Sequence, residues 1–296
     1  MRRLIVNADD FGLTAGVNRA IVEASSRGLV TSTTLMANAR AFAEAAELAR
    51  EFAASGARLS VGCHVMLVDG EPLLPPHQIE SLLEPETGLR KRRLRDKLGN
   101  FAVRAISGRL KAAEIEAEAI AQMQRIQQAG IRLSHFDTHK HTHMFPVVLG
   151  ALLRAARLCG VRAVRNPFEA LLPLPLRFLR ERKYLWTRFA EISVLRTLGF
   201  GLRRRIESHG LRTTDGSLGV LVTGSLDLEL FLETVENVPE GTWEFVCHPG
   251  YDDADLAQVR TRLRQSRVQE LAVLTSSEAR EALSQKGIQL ISYHEL

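Results

Sequence analysis

Cysteine, aromatic residues and long apolar runs are all scarce in this chain. Its three cysteines among 296 residues, Cys63, Cys159 and Cys247, are too few and too scattered for a disulfide framework, which agrees with a reducing compartment. No run of about 18 apolar residues marks a transmembrane helix, and the strand-like residues 1–7 are too short and too soon polar for a signal peptide. We therefore expect a cytoplasmic protein.

Nucleotide-binding motifs are also missing. The sequence contains neither G-x-G-x-x-G nor G-x-x-x-x-G-K-S/T, which argues against dinucleotide and P-loop chemistry. The net charge of +5 is unevenly spread, because residues 88–111 hold nine Lys/Arg and one acid and residues 171–205 hold nine and two. The remainder is therefore acidic. Because the basicity is local and aromatic residues make up only 6%, we expect no nucleic-acid partner.

The length and hydrophobic content suit one large domain. Hydrophobic residues make up 45% of the chain and supply an ample core. Barrels of alternating strands and helices often reach about 250 residues as a single domain. We predict one domain over residues 1–296, with basic and apolar insertions near residues 75–111 and 168–212.

Strand-like apolar runs alternate with helical patterns along the whole chain. Thr14 can cap a first helix that Gly28 ends, and residues 112–129 form an amphipathic helix ended by Gly130. Eight strands are predicted, near residues 4–6, 30–35, 59–64, 135–143, 161–165, 218–223, 243–248 and 288–292. This alternation predicts an α/β fold, a distorted (β/α) barrel of the TIM-barrel type with helical basic insertions; an open doubly wound sheet is the alternative.

The most informative local feature is a run of histidines at alternate positions. Four of the nine histidines, His135, His139, His141 and His143, fall within nine residues, and Asp137 completes the series. On an extended strand all five would face one way. A surface strand can carry histidines by chance, but the run lies mid-chain and is no tag. Short His-rich tracts are typical of metal binding.

Polar residues follow several other predicted strands at the point where each ends. These are Asp9 and Asp10 after the first strand, Asn38 after the second, His64 after the third, His139 after the fourth and His248 after the seventh. In barrels and doubly wound sheets alike, chemistry collects at the carboxyl ends of the strands. Distant segments are therefore predicted to converge on one rim.

The residue types on this rim suit a hydrolytic metal site. Asp10, His64 and His139 would supply one oxygen and two nitrogens to a divalent ion and leave positions open for water and substrate. Asp9 could then act as general base and His248 as the acid that protonates the leaving group. An aspartate pair also serves as a helix cap, and a lone histidine more often has a structural role. Their shared rim favours the site.

Five sequence blocks resemble those of a known family. They are NADDFG at residues 7–12, TSTT at 31–34, GCH at 62–64, HFDTHKHTH at 135–143 and CHPGY at 247–251. In this order they look like the YdjC-like (ChbG-type) carbohydrate deacetylases. The chain as a whole also resembles the branch of this family associated with hopanoid biosynthesis.

The resemblance implies a function and a set of roles. The expected activity is metal-dependent removal of an acetyl group from an N-acetylated sugar on a distorted (β/α) barrel. Carried over by position, Asp10, His64 and His139 are the metal ligands, Asp9 the base and His248 the acid. The remaining matched polar residues are expected to contact substrate or to orient the ligands: Asn38, His135, Asp137, His141, His143 and Tyr251. Lys140 stands where the family often has histidine, so this chain departs from the family pattern at that position.

The substrate, the ion and the assembly stay open at this stage. The hopanoid branch implies an N-acetylglucosaminyl lipid, and the basic, apolar segments at residues 88–111 and 171–205 would suit an anionic membrane surface. Solvated helices covering the barrel explain those segments equally well. The alternatives are a deacetylase of soluble chito-oligosaccharides and a non-catalytic, membrane-peripheral carbohydrate or lipid carrier. The ion is Mg2+ or Zn2+, peripheral contact with the inner membrane is expected for the lipid substrate, and a homo-oligomer is left open.

Overall fold

A parallel sheet curled into a half-barrel forms the centre of the computed structural model, which describes residues 1–56, 59–85, 93–170, 172, 199 and 201–296. The strands are β1 (Arg2–Phe11), β2 (Ser32–Leu35), β3 (Ser60–Val65), β4 (His135–Thr138), β5 (Ala163–Val164), β6 (Gly216–Leu218), β7 (Gly241–Cys247) and β8 (Gln289–Leu290). They lie in the order β5-β4-β3-β2-β1-β7-β6, with β8 beside β1. Parallel bridges from Ala163 to Arg212 and from Glu169 to Ser217 link the β5 side to the β6 side. The predicted TIM-barrel-like fold is confirmed.

Helices follow the strands and cover the sheet. Over the described residues they are α1 (Ala15–Ser26), α2 (Phe42–Ala54), α3 (Leu98–Ile106), α4 (Ala112–Gln128), α5 (Pro146–Leu158), α6 (Leu202–Ser208), α7 (Leu228–Glu236), α8 (Ala254–Ala257), α9 (Gln265–Leu274) and α10 (Ser277–Gln285). Thr14 caps α1 as predicted, because its hydroxyl accepts the Val17 N–H at 3.2 Å. No helix among these is long and apolar enough to cross a bilayer.

The protein has a main apolar core and a second, smaller apolar cluster, which lie on opposite faces of the sheet. The main apolar core lies between the sheet and the helices, and it includes Leu4 and Val6 of β1. A small apolar cluster of Ile5, Ile291 and Tyr293, with Ala163, occupies the amino end of the barrel. Because β1 is buried on both faces, residues 4–6 of this strand are a continuous apolar run. Polar groups fill the barrel beyond this cluster, toward the carboxyl ends of the strands.

The histidine run departs from its predicted strand. The extended conformation ends at Thr138, and residues His139–Met144 form a short 3-10 segment in which Lys140 and His141 have φ angles of 57° and 52°. Two successive left-handed residues turn the chain out of the sheet. The prediction that residues 135 to 143 all face one way is therefore wrong, and the alternation holds only for His135 and Asp137.

The sixth strand also has other bounds than predicted. The sixth strand ends at Leu218, because Gly219 has a φ of +90° and turns the chain away before residue 223.

Of the basic insertions, α3 and α6 are helical as predicted. The predicted basic and aromatic residues at 86–92 and 173–198, which include Tyr184, Trp186 and Phe189, lie outside the described residues.

Candidate metal centre and catalytic site

Three side chains converge at the carboxyl end of the barrel with donor atoms facing one another. Asp10 Oδ1 lies 3.6 Å from both His64 Nε2 and His139 Nδ1, and the two imidazole nitrogens are 3.3 Å apart. Donor atoms about 3.3 Å apart can each reach one ion over bonds of about 2.0–2.2 Å. Asp10, His64 and His139 therefore form a group that fits a divalent cation.

A local irregularity in β1 brings both adjacent aspartates to the site. Asp10 has a φ of 68°, and the pairing of β1 with β2 slips in register between Ala8 and Phe11. A strand without this irregularity would place Asp9 and Asp10 on opposite faces. Here Asp10 turns toward the two histidines while Asp9 stays among the polar groups inside the barrel.

Contacts around the triad orient its members. His64 Nδ1 lies 2.7 Å from Asp137 Oδ1, so the imidazole can donate there and keep Nε2 free toward Asp10 and His139. A carboxylate behind a metal-binding imidazole is a common arrangement, because it fixes the tautomer and raises the basicity of the other nitrogen. Arg267 donates to Asp10 Oδ2 at 2.5 Å and leaves Oδ1 pointing at the histidines.

The charges of the site favour a cation. Burial acts to lower the pKa of His64, but Asp137 and the two neighbouring aspartates raise it to about 9. Burial acts to raise the pKa of Asp10, but Arg267 and His139 hold it well below its usual value. The same carboxylates that hold a proton on His64 would attract a divalent ion, whose binding displaces that proton.

Asp9 is held by a buried guanidinium that the sequence reading overlooked. Arg165, fully buried just after β5, donates to both carboxylate oxygens of Asp9 at 2.8 and 2.6 Å. The same group contacts Asp137 at 2.5 Å and Glu244 at 2.7 Å. Burial acts to raise the pKa of Asp9, but Arg165 outweighs it, and the pKa lies below its usual range. Asp9 is therefore ionised.

His248 faces Asp9 across the site. Its Nε2 lies 3.8 Å from Asp9 Oδ2, while its Nδ1 is buried without a hydrogen-bond partner in the described part of the chain. Burial lowers the pKa of His248 to about 4 despite the two nearby aspartates, so its imidazole is neutral near pH 7. Its backbone N–H donates to Glu270 on α9 at 2.5 Å.

The other predicted residues divide between the barrel interior and its margin. Asp137 contacts both His64 and Arg165. His135 lies deeper, where it stacks on Tyr293 with ring centroids 3.6 Å apart and bonds to Asn7 Oδ1 at 3.1 Å. Burial keeps the pKa of His135 well below its usual value. His135 is thus separated from the triad, although the run predicted it to share a surface with His139.

His141 and His143 flank the site as neutral imidazoles. Burial, reinforced by Arg165, lowers the pKa of His141 to about 3. His143 Nδ1 lies 2.7 Å from Thr138 Oγ1, and its buried Nε2 has no partner within the described residues. Within the described residues, neither imidazole belongs to a group of side chains close enough together to share one metal ion.

Asn38 and Tyr251 lie toward the margin. Asn38 donates to the carbonyl of Glu71 at 2.7 Å, which ties the loop after β2 to the loop after β3. The Tyr251 hydroxyl donates to Glu23 on α1, and Arg19 lies over its ring. The structure thus brings together Asp9, Asp10, His64, His139, Asp137 and His248, and it places the remaining predicted residues around them.

Three residues of the site were missed in the sequence. Arg165 stands at the end of a predicted strand, so the criterion that selected the histidines would also have selected it. Arg267 and Glu270 lie on α9, where no strand end marks them. Only the fold brings this helix against Asp10 and His248.

Comparisons with known proteins agree on one family. The family described as YdjC-like protein matches residues 3–285. Proteins named carbohydrate deacetylase from Brevibacillus brevis and Geobacillus stearothermophilus are 32% and 33% identical, each over 99% of this chain and 99% and 98% of their own lengths. One from Mus musculus is 31% identical over 99% of this chain and 94% of its own length.

A solved structure from Enterococcus faecalis has the same fold. It is described as a cellobiose-phosphate cleavage protein, and it matches this chain with a TM-score of 0.77 at 28% identity. The match covers 99% of this chain and 98% of that one. The similarity therefore extends over the whole barrel as well as over the site.

Proposed function

Because the chain belongs to the YdjC-like family and is a carbohydrate deacetylase, we propose that it hydrolyses the N-acetyl group of an N-acetylglucosaminyl lipid with the aid of one divalent metal ion. The observation that carries this proposal is the triangle of Asp10, His64 and His139, whose donor atoms lie 3.3–3.6 Å apart beside Asp9 and His248. Metal-assisted hydrolysis of an amide uses a cation, a base and an acid at one point.

Asp10, His64 and His139 are the proposed ligands. A Zn2+ or Mg2+ ion bound there would lower the pKa of a water molecule and polarise the acetyl carbonyl. Two imidazoles and one carboxylate suit zinc better than magnesium, although metal supply also decides which ion is bound. Asp137 and Arg267 orient His64 and Asp10 from behind.

Asp9 is the proposed base and His248 the proposed acid. Arg165 keeps Asp9 ionised, so its carboxylate can take a proton from the attacking water. His248 is neutral and must gain a proton before it can give one, and Asp9 Oδ2 lies 3.8 Å from its Nε2. The hydroxide joins the acetyl carbon, the proton taken from water passes to His248 and then to the sugar nitrogen, and the bond between that nitrogen and the acetyl carbon breaks. The products are a free amine and acetic acid, which ionises to acetate.

A lipid-linked sugar is the proposed substrate, with a hopanoid carrying N-acetylglucosamine as the specific candidate. The basic and apolar character of residues 88–111 and 171–205 supports it, because such segments suit an anionic membrane surface. The proposed location is cytoplasmic and peripheral to the inner membrane. Acetate release from an acetylated glycolipid and from a soluble chito-disaccharide, measured side by side, separates this substrate from the soluble one.

The test of mechanism combines chelation with one substitution. Chelation should abolish acetate release, and a divalent ion should restore it. Asp9→Asn should lower kcat by at least about a hundredfold, since it removes the base, while metal content stays at the wild-type level. Full activity in the chelated protein would contradict metal dependence. A protein that binds the sugar but never releases acetate would instead be a carrier.

A further inference from the structure

Helix α3 has an outer surface that the deacetylase site does not explain. Phe101 and Ala105 are buried on its inner side. Val103 and Ile106 are 61% and 79% exposed, and Leu98 is 37% exposed. A helix on a protein surface normally turns polar side chains outward. Here apolar side chains stand in water.

Five apolar residues of α3 form one continuous arc that lies beside the exposed Asn100. Successive residues of an α-helix are rotated by about 100° around its axis. Leu98, Ala102 and Ile106 therefore point in similar directions, and Gly99 and Val103 lie beside them on the same side of α3. None of these five residues is charged or polar. The arc is therefore a surface that water solvates poorly and that a partner would cover.

Basic residues are concentrated in and next to α3. Residues 97–111 contain Lys97, Arg104, Arg109 and Lys111 and no acid. Lys111 pairs with Glu114 at 3.1 Å. In the part of the chain that the structure describes, no ion pair engages Lys97, Arg104 or Arg109, and Lys97 and Arg109 are exposed. A helix with an exposed apolar face and nearby unpaired cations suits the surface of an anionic bilayer, where charged headgroups adjoin apolar acyl chains.

The helix lies at the active-site end of the barrel. It belongs to the long connection that leaves the carboxyl end of β3. The segment before α3 pairs with the start of that connection, because the Leu94 N–H donates to the Gly70 carbonyl at 3.0 Å and the Asp69 N–H donates to the Arg95 carbonyl at 2.9 Å. Asp69 in turn binds Lys140, the neighbour of His139, at 2.6 Å. The segment before α3 is therefore linked, through Asp69 and Lys140, to the part of the chain that carries the proposed ligand His139.

We propose that α3 docks on an anionic lipid bilayer, with the apolar arc inserted among the lipids and Lys97, Arg104 and Arg109 at the headgroups. A second copy of the chain fits this surface less well, because two such faces would bring their cations together. The inference deepens the proposed function, since it rests on a lipid-linked substrate and explains how its sugar headgroup meets the site. The docking itself requires no catalysis.

Vesicle binding by the full chain tests the proposal. We expect sedimentation with vesicles of phosphatidylcholine mixed with phosphatidylglycerol, and little with phosphatidylcholine alone. Val103→Ser combined with Ile106→Ser should lower partitioning at least about tenfold, because two apolar side chains leave the bilayer. Leu158→Ser is the matched control: Leu158 is 71% exposed at the carboxyl end of α5, which lies toward the amino end of the barrel, and its loss should change nothing.

A second variant tests the charges. Lys97→Gln combined with Arg109→Gln should weaken binding to the mixed vesicles several-fold and make it less sensitive to salt. Equal binding of wild type and the Val103→Ser, Ile106→Ser protein would overturn the proposal. A concentration-dependent dimer that the same double variant dissociates would also overturn it, because the face would then join two copies.

Failure of the docking and failure of the proposed function give different results. The vesicles contain no substrate, so their binding reports docking alone. Deacetylation of a soluble N-acetylglucosamine disaccharide is measured in a separate assay. In that assay the α3 variants should have the same activity as wild type. Vesicle binding without any acetate release would support docking and reject the function. Release from a detergent-dispersed glycolipid without vesicle binding would support the function and reject the docking.

Discussion

At the level of single residues, the Arg165 guanidinium carries much of the charge balance inside the barrel. It contacts Asp9, Asp137 and Glu244, and all four side chains are buried. Burial of these carboxylates is tolerated because the planar guanidinium offers several donors at once. The base and the residue behind His64 therefore depend on one cation that touches neither the triad nor solvent.

Removal of this cation should affect folding and catalysis together. Arg165→Met leaves buried carboxylates without a counter-charge, and we expect it to cost about 3–5 kcal/mol in the free energy of unfolding. Arg165→Lys should fold but lower kcat, because an ammonium cannot hold both oxygens of Asp9 while reaching Asp137. Urea denaturation and acetate release measure the two effects.

Arg260→Met is the control for Arg165. Arg260 forms an exposed pair with Asp96 at 2.9 Å, and its loss should cost less than about 1 kcal/mol. If Arg165→Met were as stable as this control, the buried network would not depend on Arg165.

We predict that the buried carboxyl group of Glu270 makes the free energy of unfolding depend on pH. Burial raises the pKa of Glu270 from 4.5 to about 7, against the opposing influence of the His248 N–H and Arg267. Between these values the folded protein binds a proton that the unfolded chain does not, so the contribution of Glu270 to stability is complete below pH 4.5 and is lost as the pH rises toward 7. The loss amounts to as much as about 3 kcal/mol.

Glu270→Gln removes this dependence. The amide of the variant keeps an acceptor for the His248 N–H but cannot ionise beside Asp9 and the other buried carboxylates. Relative to the variant, wild type should therefore lose stability from pH 4.5 to pH 7, as measured by urea denaturation across that range. Parallel stability curves for the two proteins would contradict the assignment.

At the level of secondary-structure elements, the inner faces of β3 and β4 fit together because one residue of β3 has no side chain. Gly62 of β3 faces the His135 ring, and a Cβ built at Gly62 would lie 2.6 Å from His135 Cε1. His135 itself stacks on Tyr293 and bonds to Asn7, so it has little room to move. The close approach of the His135 ring to the backbone of β3 therefore requires glycine at position 62.

Gly62→Ala should destabilise the barrel by about 1–3 kcal/mol through overpacking. Gly99→Ala is the matched control, because a Cβ there meets nothing within 4 Å and alanine in α3 should add up to about 1 kcal/mol. Thermal unfolding of both variants gives the comparison. A neutral Gly62→Ala would mean that the His135 ring gives way.

The elements also explain which parts of the site could be predicted. Asp9, His64 and His248 each follow an apolar strand, and parallel strands bring their carboxyl ends to one rim, so sequence position was sufficient. The turn at Lys140 and His141 could not be predicted, because neither residue is glycine or asparagine and the alternation continues through it. Glu270 could not be predicted either, since only the packing of α9 places it behind His248.

At the scale of the whole molecule, the barrel gathers more negative than positive charge around the site. Asp9, Asp10, Asp137 and Glu244 are buried there with two guanidinium groups, Arg165 and Arg267. When ionised, these groups leave two negative charges in a region of low dielectric. A proton on His64 offsets part of this charge, and a divalent cation would offset all of it.

The folded protein should therefore be stabilised by the cation that we propose for catalysis. A ligand that binds only the folded state adds about 2.7 kcal/mol at a hundredfold excess over its Kd. We expect chelation to lower Tm and either Zn2+ or Mg2+ to restore it, with the ion that is effective at lower concentration identifying the preferred metal. His64→Ala should abolish the shift, because it removes one of three donors, whereas His77→Ala, at an exposed position outside the group of proposed ligands, should keep it. A shift that survives His64→Ala would place the ion elsewhere, and the buried charge would then need another counterpart.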